Sequence, residues 1–298
     1  MLTETDKADR LHLRLLFEKR LNRSETKEGF FYFENQDFLI AQKRETFVVV
    51  TGDMAVGFQL YMKGEADFEK LQLALHLVQE FGVAEISCLW DIGANVGPIG
   101  IPALTRNLIN QVIAFEPEQQ LFRLLRANAI LNAVEEKMVF HNVALGDHYG
   151  PANLMIGSGN TGDYRIAGRT FNDDCMGEAS RVSQEVPMRK MDDYIDYFLP
   201  GRTLLFMDIQ GFEGIALKGA SRILSSCPPL VTEFWPYGMK RLDSYASLRE
   251  IVCTAGYRCF ANLSDDNPSL RSVSGEALDE LYRSLGEGSE GSADLLFI

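Results

Sequence analysis

The sequence is poor in the residues that metal centres and disulfide scaffolds need, with 5 cysteines and 4 histidines in 298 residues. Cys88, Cys175, Cys227, Cys253 and Cys259 are odd in number and form no Cys-x-x-Cys pair. Reduced thiols and no zinc site are the expectation. No apolar run approaches the roughly 20 residues that span a bilayer. Met1 to Arg23 is charged and lacks a signal-peptide core. A cytoplasmic protein with no membrane partner is therefore expected. Basic charge is also scarce: 29 Lys+Arg against 42 Asp+Glu leave a net charge of −13. That argues against nucleic acid as a partner, because phosphate neutralisation needs a basic face. Asp173-Asp174 and Asp265-Asp266 are isolated acidic pairs without a third ligand in view, so no metal is expected.

What is present is organised around Leu89-Trp90-Asp91-Ile92-Gly93-Ala94-Asn95-Val96-Gly97. It reads as a buried strand running into a glycine turn and a helix, with Asp91 at the carboxyl end of the strand. Gly93 and Gly97 allow backbone conformations or close approaches that a Cβ forbids. A second apolar strand, Val112 to Phe115, ends in Glu116-Pro117, and an acid at that tip can accept both hydroxyls of a ribose. Together these features predict a nucleoside-type cofactor on a Rossmann-like sheet. The spacing Gly93-x-x-x-Gly97-x-x-Gly100 is not the Gly-x-Gly-x-x-Gly of dinucleotide enzymes.

Taken in order, residues 6–23 carry Leu11, Leu15, Leu16 and Leu21 at helical spacing. They predict an accessory helix that packs on the domain or meets another subunit in a homo-oligomer. Phe31 and Phe33, then Phe38 to Ile40, then Phe47 to Val50 predict a small hairpin or meander. Residues 1–55 are thus read as an extension, and 56–298 as the main domain. A helix is expected over Phe68 to Val78, and a third strand from Met138 through Ala144. The long polar stretch from Gly157 to about Glu185 reads as a lid or binding loop. A fourth strand, Thr203 to Met207, is closed by Asp208, and a fifth, Leu230 to Thr232, ends at Glu233 before Phe234-Trp235-Pro236. Strands near Tyr257–Phe260 and Asp294–Ile298 follow a helix over about Ser244 to Ala255. This alternation implies parallel β-α units.

Several of these segments agree in order with one known pattern. Asp91 to Gly97, Phe115-Glu116-Pro117, Asn142 to Asp147, and above all Met207-Asp208-Ile209-Gln210-Gly211-Phe212-Glu213 with Leu217-Lys218-Gly219-Ala220 behind it resemble the FkbM-type methyltransferase family. The resemblance covers roughly residues 56–298. It implies an α/β, Rossmann-like class I methyltransferase fold: a seven-stranded, mostly parallel sheet with helices on both faces and one reversed strand. It also implies S-adenosylmethionine as cofactor, and a hydroxyl of a saccharide or natural-product small molecule as acceptor. Gln210 stands where many relatives carry Glu. Pro98 suits a first helical turn, whereas Pro102 is expected to kink the helix after the glycine turn.

In that reading Gly93, Ala94, Asn95 and Gly97, with Asp91 nearby, hold the methionyl end of the cofactor, since a carboxylate pairs with its ammonium. Glu116 takes the ribose, Pro117 walls the adenine, and Asp147 or the Ala144 backbone meets its amino group. Asp208 is the candidate to orient the acceptor or take its proton. Glu213 is a second candidate, or else serves the N-terminus of the following helix. Glu233 and Trp235 would face the acceptor, although packing explains Trp235 equally well. His141 and His148 are unpaired and read as structural or surface residues. Two other readings compete: a catalytically silent cofactor-binding module, and a nicotinamide-dependent oxidoreductase, which the glycine spacing disfavours.

Overall fold

A computed structural model describes residues 38–83, 85–168, 175–288 and 291–298. The helix expected over 6–23 and the strand at Phe31 and Phe33 lie outside the described residues. The chain enters through a hairpin, β1 (Phe38–Gln42) and β2 (Thr46–Val50). Two helices follow, α1 (Val56–Lys63) and α2 (Phe68–Glu80). The central sheet begins with β3 (Cys88–Ile92), α3 (Gly100–Thr105), β4 (Gln111–Phe115), α4 (Gln119–Leu131) and β5 (Met138–His141).

The chain then leaves the sheet. Short β6 (Ala144–Gly146), β7 (Gly150–Ile156), β8 (Arg165–Ile166) and β9 (Val182–Lys190) form a separate four-stranded sheet in the order β6-β9-β7-β8. It returns through β10 (Thr203–Met207), α5 (Glu213–Lys218), α6 (Ser221–Leu224), β11 (Leu230–Phe234), α7 (Pro236–Leu242), α8 (Tyr245–Thr254), β12 (Cys259–Asn262), β13 (Arg271–Ser272), α9 (Gly275–Leu285) and β14 (Ala293–Phe297).

The main sheet has the order β13-β12-β14-β11-β10-β3-β4-β5. Pairing is parallel from β11 through β10, β3 and β4 to β5, and antiparallel around β14. The reversed strand is therefore β14, wedged between β11 and β12. The expected seven strands become eight, because two residues after β12 pair back as β13. A two-residue edge strand has no hydrophobic alternation to announce it.

Side chains along the central strands alternate between two cores, as the strand period requires. Leu89, Val112, Ala114, Leu204 and Phe206 join α2, α3 and α4 on one face. Trp90, Ile92, Ile113, Phe115, Leu205 and Met207 join α5, α8 and α9 on the other. Both faces being covered explains why β3 and β10 are buried at every residue. Among the described residues no helix is long and apolar enough to cross a membrane.

Three expectations need correction. The third strand stops at His141, and Ala144–Gly146 pairs with β9 instead. The stretch 157–185 is not simply a loop: β7, β8 and β9 build the second sheet around a small core of Leu154, Val186 and Met188 with Phe212. Pro102 does not kink a longer helix, because α3 starts only at Gly100 and has six residues. That places Pro102 in the first turn, where a missing N–H breaks no helical hydrogen bond.

The hairpin is bonded into the main domain through α4. Asn128, fully buried, accepts from Val48 N at 2.7 Å through its side-chain oxygen and donates to Val96 O at 2.9 Å. Asn132 likewise accepts from Thr46 N at 2.9 Å and donates to Thr46 O at 2.7 Å. Asn128→Ala would strand buried backbone groups of both the hairpin and the glycine turn. The expected cost is about 2–6 kcal/mol, from one to three kcal/mol for each of two orphaned groups. Urea unfolding followed by circular dichroism checks this value.

Candidate active site

The rim at the carboxyl ends of β3, β4 and β10 opens into one cavity. Asp91, Gly93, Asn95, Glu116, Pro117, Ala144 and Asp208 all line it. The turn after β3 makes the rim. Gly93 has φ +89°, and a Cβ there would run into the Asp208 carbonyl oxygen and the Ile209 side chain. The Gly93 and Ala94 amides both donate to Phe115 O at 3.0 Å, which locks the turn to the end of β4. Asn95, at φ +50°, donates its amide to Glu116 Oε2 at 2.8 Å. Glu116 Oε1 accepts from Glu118 N at 2.8 Å. Asp91 Oδ2 accepts from Gly100 N at 3.0 Å.

Burial dominates the electrostatics of this rim. It pushes the Asp91 carboxyl up to about 7 and the Glu116 carboxyl up to about 8, against backbone hydrogen bonds that pull both down. Asp208 is raised by burial and then by the Asp294 charge. Lys70, a cation in the cavity wall, opposes the rise at Asp208 and is itself held at 2.8 Å by both Asp67 and Asp294. A cavity lined by buried carboxylates at these positions favours a cationic guest over an anionic one.

The remaining candidates divide. Gly97 and Ala94 do not line the cavity. A Cβ on Gly97 would meet Ile101 and Leu125, so Gly97 serves the packing of α3 against α4. The Asp147 side chain is also outside the cavity: it pairs at the surface with His148 Nδ1 at 2.7 Å. Ala144 is there, with Val143 and Leu145 beside it. Glu213 is fully buried behind the β10–α5 turn, where its Oε1 accepts from Ile209 N at 3.1 Å and Gly211 N at 3.2 Å. It does not face the cavity, so its role is to position that turn.

Glu233 and Trp235 do not line the cavity either. Glu233 is reached through Gln210, whose side-chain nitrogen donates to Asp208 Oδ1 at 2.7 Å and to Glu233 Oε2 at 3.1 Å. A glutamine donor between two acids has a plain physical reason, since a third carboxylate there would repel both. Trp235 is buried against Tyr237, with ring centroids 5.2 Å apart. His141 stacks on Phe115 at 5.1 Å, away from the cavity lining.

Residues not named one by one in sequence complete the site, several of them within the 157–185 stretch read there as a lid or binding loop. Thr161 bridges the rim and the N-terminal half: its hydroxyl donates to Asp53 Oδ2 at 2.6 Å and accepts from Asn95 Nδ2 at 3.2 Å. Thr161, Tyr164, Arg165 and Ile166 bring the second sheet onto the cavity. Lys70, Asp67 and Asp294 close the other side. Long-range pairing brings Lys70 and Asp294 together at the rim, and no local motif marks either. Among the described residues no group of three or more His, Cys, Asp or Glu could hold a metal ion.

A buried acid rim over a glycine turn, on a parallel sheet with one reversed strand, defines a nucleoside-cofactor enzyme of the class I methyltransferase type. Residues 91–259 match the family described as the methyltransferase FkbM domain, and the chain belongs to that family. Its cofactor is S-adenosylmethionine. The carboxylate rim and the close approach at Gly93 fit that group, which brings a sulfonium, an ammonium and a ribose to one cavity.

No curated protein matches the chain in sequence. Solved structures with a similar fold include TYW2 of M. jannaschii in complex with AdoMet: 10% identity over 88% of this chain and 84% of that one, TM-score 0.39. Another is a precorrin-6y C5,15-methyltransferase of Geobacter metallireducens: 13% identity over 76% of this chain and 86% of that one, TM-score 0.36.

The raised carboxyls set a pH dependence. Ordinary values for Asp91 and Glu116 are 3.8 and 4.5, against about 7 and about 8 in the folded chain. Between these limits the folded chain binds more protons than the unfolded chain, so stability falls as pH rises. The contribution is complete below about pH 4 and lost as pH passes through 7 to 8. Thermal melts of the ligand-free chain from pH 5 to pH 8.5 should show a falling Tm, and a flat or rising profile would contradict the buried, unpaired acids. S-adenosylmethionine, with one positive charge more than S-adenosylhomocysteine, should gain affinity relative to it over the same rise.

Proposed function

We propose that the chain transfers a methyl group from S-adenosylmethionine to a hydroxyl oxygen of a saccharide or natural-product small molecule. The observation that carries this reading is Asp208, placed at the end of β10 in the same cavity as Asp91, Gly93 and Glu116. The bound cofactor supplies an electrophilic methyl on a positively charged sulfur. The chain's residues then hold and orient rather than activate, and orientation alone offers about 7–11 kcal/mol. Asp91 would pair with the ammonium, and Glu116 would accept from the ribose hydroxyls. Val143, Ala144 and Leu145 wall the adenine.

Asp208 has the chemistry of a general base. Burial and Asp294 raise its proton affinity toward the working range, while the Gln210 amide fixes the direction of its carboxylate. Asp208 would take the acceptor's proton as the hydroxyl oxygen is methylated, and the cofactor, once bound, would supply the methyl and leave as a neutral thioether. The test is formation of S-adenosylhomocysteine over a panel of hydroxyl compounds, with Asp208→Asn as the variant. The variant should bind S-adenosylhomocysteine within threefold of wild type and lose about 100-fold or more in kcat. Turnover with amine or carbon acceptors but no hydroxyl compound, or unchanged kcat in the variant, would overturn the assignment.

A further inference from the structure

A second cavity, of about 270 Å³, lies beside the first, between the second sheet and α7. Met155, Ile166 and Leu242 give it apolar walls, and Gln210, Arg241 and Glu178 give it polar ones. Arg165 lines both cavities. Its side chain is 3% exposed, and its guanidinium lies 5.1 Å over the Trp235 ring. Only Nη2 is engaged: it donates to Asp163 Oδ2 at 3.3 Å and lies 3.0 Å from Asp163 Oδ1 and 3.1 Å from Glu178 Oε1, two buried oxygens that receive no hydrogen bond. Nε and Nη1 are buried without any hydrogen-bond partner.

Such an arrangement is costly unless a ligand completes it. A guanidinium keeps its charge in any protein, so burial cannot be relieved by losing a proton. The two carboxylates near Arg165 are already shared: Asp163 also binds Arg181, and Glu178 binds Arg241 Nη2 at 3.0 Å. Burial and the neighbouring Arg181 and Arg241 charges oppose the Arg165 charge. An incoming oxyanion would satisfy the free donors with charge-assisted hydrogen bonds.

The cavity also has the right neighbour. Gln210, on its wall, holds Asp208, which faces the methyl-donor cavity. A molecule anchored at Arg165 therefore extends toward the group assigned as base. Resting on the methyl-transfer reading above, we propose that the acceptor is an anionic small molecule whose carboxylate or phosphate docks on Arg165 in this second cavity, setting its hydroxyl toward Asp208.

The test uses the full chain saturated with S-adenosylhomocysteine and titrated calorimetrically at constant ionic strength. The probes are phenyl phosphate, phenylacetate and the uncharged benzyl alcohol. At least one anion should bind saturably where benzyl alcohol does not, and which one binds separates phosphate from carboxylate. Arg165→Gln should weaken that binding at least tenfold and leave S-adenosylhomocysteine affinity within twofold.

Because Arg165 is buried among ion pairs, a second variant protects the test from misfolding. Ala167 is exposed at the cavity wall, and Ala167→Glu adds a competing carboxylate there without touching the core. It too should cost tenfold or more in anion binding. Absence of anion binding, or anion binding unchanged in Ala167→Glu, would overturn the inference. So would a tenfold loss of S-adenosylhomocysteine affinity in Arg165→Gln, which would give Arg165 to the cofactor's own carboxylate. Failure of wild type to bind S-adenosylhomocysteine at all would instead sink the methyl-transfer reading.

Discussion

Gly93→Val should abolish measurable binding of S-adenosylhomocysteine and lower the melting temperature. At φ +89° a β-branched residue is strained, at about 1–3 kcal/mol before any contact is counted. The added Cβ would also overlap the Asp208 carbonyl oxygen, which belongs to backbone and cannot swing aside. The ends of β3 and β10 must then part. Those two ends carry Asp91 and Asp208, so the cofactor corner and the proposed base are displaced together. A loss of about 3 kcal/mol corresponds to a fall of roughly 6–12 °C in Tm for a chain of this size. Calorimetry and thermal melts read the two effects separately. Wild-type affinity in this variant would show that the corner does not seat the cofactor.

Glu116→Ala carries the second large effect. Glu116 holds the turn after β3 through Asn95 N and the start of α4 through Glu118 N. Its removal therefore loosens the turn after β3 as well as deleting the proposed acceptor for the ribose. Two lost hydrogen bonds at about 0.5–1.5 kcal/mol each predict a fall in S-adenosylhomocysteine affinity of roughly 10–100-fold, read by calorimetry. Glu116→Gln should retain part of the affinity, because one side-chain oxygen still accepts. Equal affinity in wild type and Glu116→Ala would remove Glu116 from the site.

How much of this was legible in sequence depends on range. Asp91, Gly93, Asn95, Glu116 and Asp208 are local signals, since each follows a short apolar strand or makes its turn, and the register places them on one rim. Residues set by distant pairing were not legible. Lys70 and Asp294 meet across more than 200 residues of chain, and Thr161 reaches Asp53 over 108. The second sheet was hidden for a related reason. Its strands carry Gly, Pro and charged residues, and their small core is completed by Phe212 from the other sheet's turn. Glu213 and Trp235 each read two ways in sequence, and the structure favours the packing alternative: Glu213 accepts from the turn amides of Ile209 and Gly211, and Trp235 is buried against Tyr237.

Asn128 gives the N-terminal hairpin a standing that its position in the chain conceals. Through one amide the hairpin edge and the glycine corner hang on the same helix. Glu45 adds a buried clasp to Arg106 at 2.9 Å, next to α3. A shortened chain starting at Val56 would strip Asn128 and Asn132 of their hairpin partners and leave Arg106 with Glu65 as its remaining ion pair. The hairpin is therefore better regarded as an outer brace of the candidate pocket than as a separable appendage.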